Sequence, residues 1–232
     1  MAKLDIITWL WGKKYTAHDV TRLQFQVRRN LRVDHTFHLF SDRVVAGVPP
    51  TIRQHLISDL DLCDRHCFCR LRMFDPEWQK ENGFTGHIIS LDLDVVITGT
   101  LDSLFKEGQP DFMMLKGVNS VNPNPFNGSI MMLKAGTHAN IWSEFSLESA
   151  AKIKFHEFPD DQGWIWHMAP DAEGWKGGTR GVYAFQKPGW PGYPTNTMEL
   201  PPDAKIVVFT GKRKPVNYTG LSWVNRHWLS YT

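Results

Sequence analysis

Three cysteines in 232 residues, almost no net charge and no long apolar run each remove a class of protein from consideration. An odd, small cysteine count speaks against a disulfide framework. Lysine and arginine number 26 against 24 aspartate and glutamate, a net charge of +2. So small an excess does not argue for a nucleic-acid partner. No apolar stretch reaches the roughly 18 residues that a membrane span needs. The opening "KLDIITWLW" reads as a first strand, and no small-residue cleavage site follows it. The expectation is a cytoplasmic protein with no transmembrane segment.

What is present is ordinary in bulk: 42% hydrophobic and 22% charged residues, enough chain to bury a core unaided. Ten tryptophans stand out. They could fill the core or serve as flat platforms for sugars or bases, and composition does not choose. Cys63, Cys67 and Cys69 cluster with His66 in "CDRHCFC", but the spacing lacks the paired geometry of structural zinc sites. Reduced thiols packed near a strand are the preferred reading.

Strand-like runs occur at "LDIITWL", "HTFHLF", "HIISLD", "DFMML", "SIMML", "VYAF" and "KIVVF". Between the first two, Thr16 and Asp19 are spaced as a capping box, and Val20, Leu23, Val27 and Leu31 follow at helical spacing. Further helices are expected near "THANIWSEFSLESAAK", "DDQGWIWHM" and "WVNRHWLS". Strands alternating with helices predict an α/β fold with a mixed, mainly parallel sheet, and ligands at the carboxyl ends of its strands. The expectation is one domain over residues 1–232. Residues 1–105 would form its nucleotide-binding half and residues 106–232 its substrate half.

The chemistry centres on "GHIISLDLDVVITGTLDSLF". Asp92 and Asp94 interrupt what should be a buried strand, and burying unpaired carboxylates is costly. If the strand ends there, both groups can turn into a cleft, where hard oxygen ligands suit Mg²⁺ or Mn²⁺. The plainer alternative is a pair of turn residues bonding backbone N–H groups. A second triplet, Asp59 and Asp61 in "DLDLCD", lies in an acidic segment and reads as solvated.

The stretch from Gly86 to Phe105 resembles the metal-binding block of GT-A-fold glycosyltransferases, particularly the glycogenin-like retaining group and its small bacterial and phage relatives. Further blocks fall in the same order: "ITWLWGKKYTAHDVTRL", "CRLRMF", "FNGSIMMLKAG", "DDQGWI" and "KIVVFTGKRKP" followed by "WVNRHW". The resemblance spans Leu4 to Trp228. It implies a retaining, divalent-metal-dependent transfer of a sugar from a UDP-sugar to an acceptor it does not identify. Asp92 would lie near the ribose and metal, with Asp94 as principal metal ligand. Trp11, Lys14 and Tyr15 would sit beside the base and ribose, and Arg70 near the diphosphate or donor sugar. Asn127 and Gly128 would line the sugar pocket. Asp161 and Gln162 would face the reacting sugar as the catalytic pair, and Gly211 and Lys214 would belong to the diphosphate-binding block. Relatives carry a metal-ligating His where this chain has Thr210 or Val208, which makes Thr210 the uncertain metal position.

Plainer readings stand beside these. The "KRK" of Lys212, Arg213 and Lys214 could be a solvated turn, and Asp160 or Asp161 could cap a helix. His156, His167 and His227 are isolated, so surface or structural roles are expected. Trp164 and Trp166 should point to different sides of a helix. Two rival functions remain open: a nucleotidyltransferase on a similar sheet, which leaves "FNG" and "DDQ" unexplained, and a non-catalytic glycan- or nucleotide-binding module.

Overall fold

A computed structural model describes residues 4–65, 67–105, 108–119, 124–153, 160–195 and 197–230. His66 and His156 lie outside them. Strand β1 (Leu4–Leu10) is buried along its whole length, as expected for an inner parallel strand. Helix α1 (Ala17–Asn30) begins at the anticipated box, where Asp19 accepts from the Thr16 N–H at 2.9 Å. Strand β2 (His35–Ser41) pairs in parallel with all seven residues of β1, and the short β3 (Ile52–Leu56) pairs in parallel with β2. Helix α2 (Leu60–Asp64), a 3-10 helix over Phe68–Phe74 and helix α3 (Pro76–Glu81) lead to β4 (His87–Leu91), parallel to β1.

After β5 (Val96–Ile97) come β6 (Phe112–Lys116) and the long β7 (Phe126–Lys134), which runs antiparallel to both β4 and β6. Helices α4 (Asn140–Ser143), α5 (Leu147–Ala151) and α6 (Asp161–Met168) follow. Then come β8 (Glu173–Lys176), β9 (Val182–Ala184), β10 (Ile206–Val208) and α7 (Ser222–Val224), which passes into a π-helical turn over Asn225–Leu229. The central sheet has the order β3-β2-β1-β4-β7-β6-β8, and a small second sheet has the order β5-β10-β9. The expected mixed, mainly parallel sheet with flanking helices is what forms.

Strand alternation divides the core. From β1, Leu4, Ile6 and Leu10 join Val20, Leu23 and Val27 of α1 on one face of the sheet. Ile7 and Trp9 join Phe74, Phe126 and Trp164 on the other. Each large side chain so buried stabilises by about 1.5–3 kcal/mol before entropy is counted. A third cluster is aromatic: Phe185, Trp190, Phe209, Trp223 and Trp228 beside the small sheet. Most of the tryptophans are therefore core residues. Trp164 is buried with its indole N–H on the Ile141 carbonyl, and Trp166 packs against the same apolar layer. All three cysteines are free thiols, and no metal-holding group of three or more His, Cys, Asp or Glu occurs among the described residues.

Candidate active site

Asp92 follows the last residue of β4, and its N–H bonds the Ser129 carbonyl of β7 at 3.0 Å. Leu93 between the two carboxylates goes into the core, so Asp92 and Asp94 turn together into a cleft. Asp94 is only 5% exposed. Its Oδ2 accepts from the Tyr15 hydroxyl at 2.7 Å and from Lys214 Nζ at 2.5 Å. The Asp92 side chain is a third exposed, and its Oδ1 accepts from Arg70 Nη1 at 2.9 Å. Each carboxylate thus has a cation beside it, which offsets part of the cost of its burial. Loss of hydration raises the Asp92 carboxyl, Arg70 lowers it and Asp94 raises it again, with a net upward shift. Burial, with the Asp94 charge beside it, likewise pushes the Tyr15 phenol well up.

Arg70, on the 3-10 helix, is the strut of the site. Its Nε and Nη2 bond Asp161 Oδ2 at 2.7 and 2.6 Å, and its Nη1 also reaches the Gly128 carbonyl at 3.2 Å. A Cβ on residue 128 would stand 2.6 Å from Arg70 Nη2, so any larger residue there would displace the guanidinium from its partners. Asp161 opens α6 but is 1% exposed, with Oδ1 buried and lacking a hydrogen-bond partner. Burial pushes its carboxyl up to about 7, with Arg70 opposing. The cap of α6 is Asp160, which accepts from the Gly163 N–H at 2.7 Å and from Gln162 Nε2 at 2.8 Å. Gln162 Oε1 in turn accepts from the Gly128 N–H at 2.8 Å.

The cleft encloses about 410 Å³. Trp11, Lys14, Tyr15, Arg70, Asp92, Asp94, Asn127, Gly128, Gln162, Thr210, Gly211 and Lys214 all line it. Asp161 is brought to the site but lies beneath its surface, behind Arg70. The Tyr15 hydroxyl and Lys14 gather at the carboxylate end. There burial and then the Lys214 charge lower the Lys14 ammonium pKa. Sequence reasoning missed Trp9, Cys67, Ser129 and Phe209 as lining residues. Trp9 could have been found from its position two before Trp11, and Phe209 from its place beside Thr210. Asp59, by contrast, is held by Arg72 through bonds of 2.6 and 3.0 Å, away from the cleft. Asp92, Asp94 and the buried, unpartnered Thr210 hydroxyl are hard oxygen donors that suit Mg²⁺ or Mn²⁺.

The mixed, mainly parallel seven-stranded sheet with flanking helices matches a GT-A fold. Among solved structures, the chain superposes on the galactosyltransferase LgtC in complex with donor and acceptor sugar analogs. That match has a TM-score of 0.60 and 11% identity and covers 96% of each chain. It also superposes on an active-site glutamine-to-glutamate mutant of LgtC, with a TM-score of 0.61, 12% identity and coverage of 96% of this chain and 93% of that one. No protein-family profile and no curated protein matches the sequence. At such identity the likeness is one of fold.

Proposed function

We propose that the protein is a retaining glycosyltransferase that moves a sugar from a UDP-sugar to an acceptor hydroxyl with the help of a divalent cation. One observation carries this reading: on a GT-A fold, Asp92 and Asp94 meet Lys214 and Arg70 in a single cleft at the strand ends. Asp92, Asp94 and the Thr210 hydroxyl would hold Mn²⁺ or Mg²⁺. When bound, the ion offsets charge that grows on the departing diphosphate. Lys214, a single arm from the loop after β10, adds charge-assisted bonds to the same phosphates. Trp11 offers a flat face to the base, and Asn127 an amide to the sugar.

Arg70 is fully engaged by Asp92, Asp161 and the Gly128 carbonyl, so its task is to fix the distance between the carboxylate floor and α6. Asp161 acts through Arg70 and is a positioning residue. Gln162, clamped by Gly128 and Asp160, is the member of the pair that faces the donor sugar. The glutamine in the active site of LgtC supports that assignment. In the retaining reaction the acceptor oxygen bonds the anomeric carbon on the face from which the phosphate leaves. The departing phosphate oxygen takes the acceptor's proton.

The test is incubation with UDP-glucose or UDP-galactose, with and without Mn²⁺. Slow release of UDP and free sugar, accelerated by Mn²⁺, is expected. Pyrophosphate release would make the protein a nucleotidyltransferase, and UDP binding without turnover would make it a binding module.

A further inference from the structure

We propose that the acceptor is an anionic carbohydrate, carrying a phosphate or a carboxylate, and that Lys187, Lys212 and Arg213 bind that group. The inference rests on the transferase reading and names the substrate class of its second half-site. A groove of about 540 Å³ adjoins the donor cleft and shares Asn127, Gln162, Thr210 and Gly211 with it as a common wall. A molecule in this groove therefore lies beside the glutamine that faces the donor sugar. The rest of the lining includes Lys187, Lys212 and Arg213, together with the amide-bearing Asn119.

The register of the small sheet brings these cations together. Strands β9 and β10 run parallel with Ala184 opposite Val208, so the turns that follow them emerge side by side. The first turn closes where the Lys187 N–H bonds the Ala184 carbonyl, and the second where the Arg213 N–H bonds the Thr210 carbonyl. In the donor cleft, Arg70 and Lys214 each lie against a carboxylate. In the groove, none of the three cations forms an ion pair with a described residue. Among the described residues Asp160 is the one carboxylate in the lining, and both its oxygens are committed to α6. Three cations held close with so little counter-charge repel one another and attract an anion. On the shared wall Asn127 spends its side-chain oxygen on the Ser129 N–H, so its amide NH₂ is the group that suits a hydroxyl of a sugar ring.

Titration of the UDP-bound protein at low salt with glucose 6-phosphate, glucuronate and glucose, followed by calorimetry, tests the assignment. At least one anionic sugar should bind about tenfold or more tightly than glucose, and the gain should shrink as salt rises. Preference for glucose 6-phosphate marks a phosphate, and preference for glucuronate a carboxylate. Lys212→Glu, at an exposed position, and Lys187→Ala should each cut the preference at least about threefold. Equal or undetectable binding of all three sugars, or a preference untouched by both substitutions, would overturn the proposal. The donor reading is judged separately, by whether UDP alone raises the melting temperature of the unmodified protein.

Discussion

Arg70 and Gly128 show how tightly single residues constrain one another. Gly128→Ala would drive a methyl group into the guanidinium, and the expected loss is about 1–3 kcal/mol by thermal unfolding. Arg70→Lys in the same chain should recover part of that loss by withdrawing Nη2, which a double-mutant cycle would register as coupling. A different residue contributes to the acid limb of stability. His38 bonds His55 at 2.9 Å on one side and Asp5 at 3.0 Å on the other. Burial, and then the His38 charge, lower the His55 pKa to about 4. Below the ordinary histidine value near 6.5 the unfolded chain takes up a proton that the folded ring refuses, so stability falls as pH falls from about 6.5 to 4. For a partly exposed ring the effect is on the order of 1 kcal/mol after screening. Melting curves at pH 7 and pH 5 should show a smaller drop for His55→Gln than for the unmodified protein.

The start of α6 separates two carboxylates by their work. Asp160→Ala removes the cap and should cost about 1 kcal/mol, while also freeing Gln162. Asp161→Asn keeps the cap but weakens the grip on Arg70. It should leave UDP affinity within about twofold while lowering the turnover number about a hundredfold, the pattern of an interaction that matters mainly in the transition state. Turnover preserved in a destabilised Asp161→Asn protein would reduce the residue to a structural one. The elements themselves were legible where burial is nearly continuous: β1, β2, β4, β6 and β7 are rich in Ile, Leu, Phe and Met. Strand β3 was not, because Ile52 alone of its five residues is buried, and β8 was not, because Trp175 stands between glycine and lysine. At the site, the strand-end carboxylates announced themselves. The double engagement of Arg70 and the burial of Asp161 did not, since both depend on the 3-10 helix meeting α6 and β7 across long sequence distances.

At the scale of the whole molecule, a fold shared at 11–12% identity rests on pattern rather than on particular residues. Alternation assigns Ile6 and Ile7 to opposite layers, and other apolar pairs could do the same. Where the sheet ends, Asp92, Asp94 and Lys214 are held instead by specific ion pairs and hydrogen bonds. If these form a donor site, ligand binding must feed back on global stability, by about 2.7 kcal/mol at a hundredfold excess over the dissociation constant. The most direct test of the central claim is calorimetric titration of UDP, with and without Mn²⁺, into the unmodified protein and into Asp94→Asn. Melting temperature would confirm that the variant is folded. The expected result is UDP binding strengthened about tenfold or more by Mn²⁺ in the unmodified protein, with most of that gain gone in Asp94→Asn. UDP affinity indifferent to Mn²⁺ in both proteins would contradict the account.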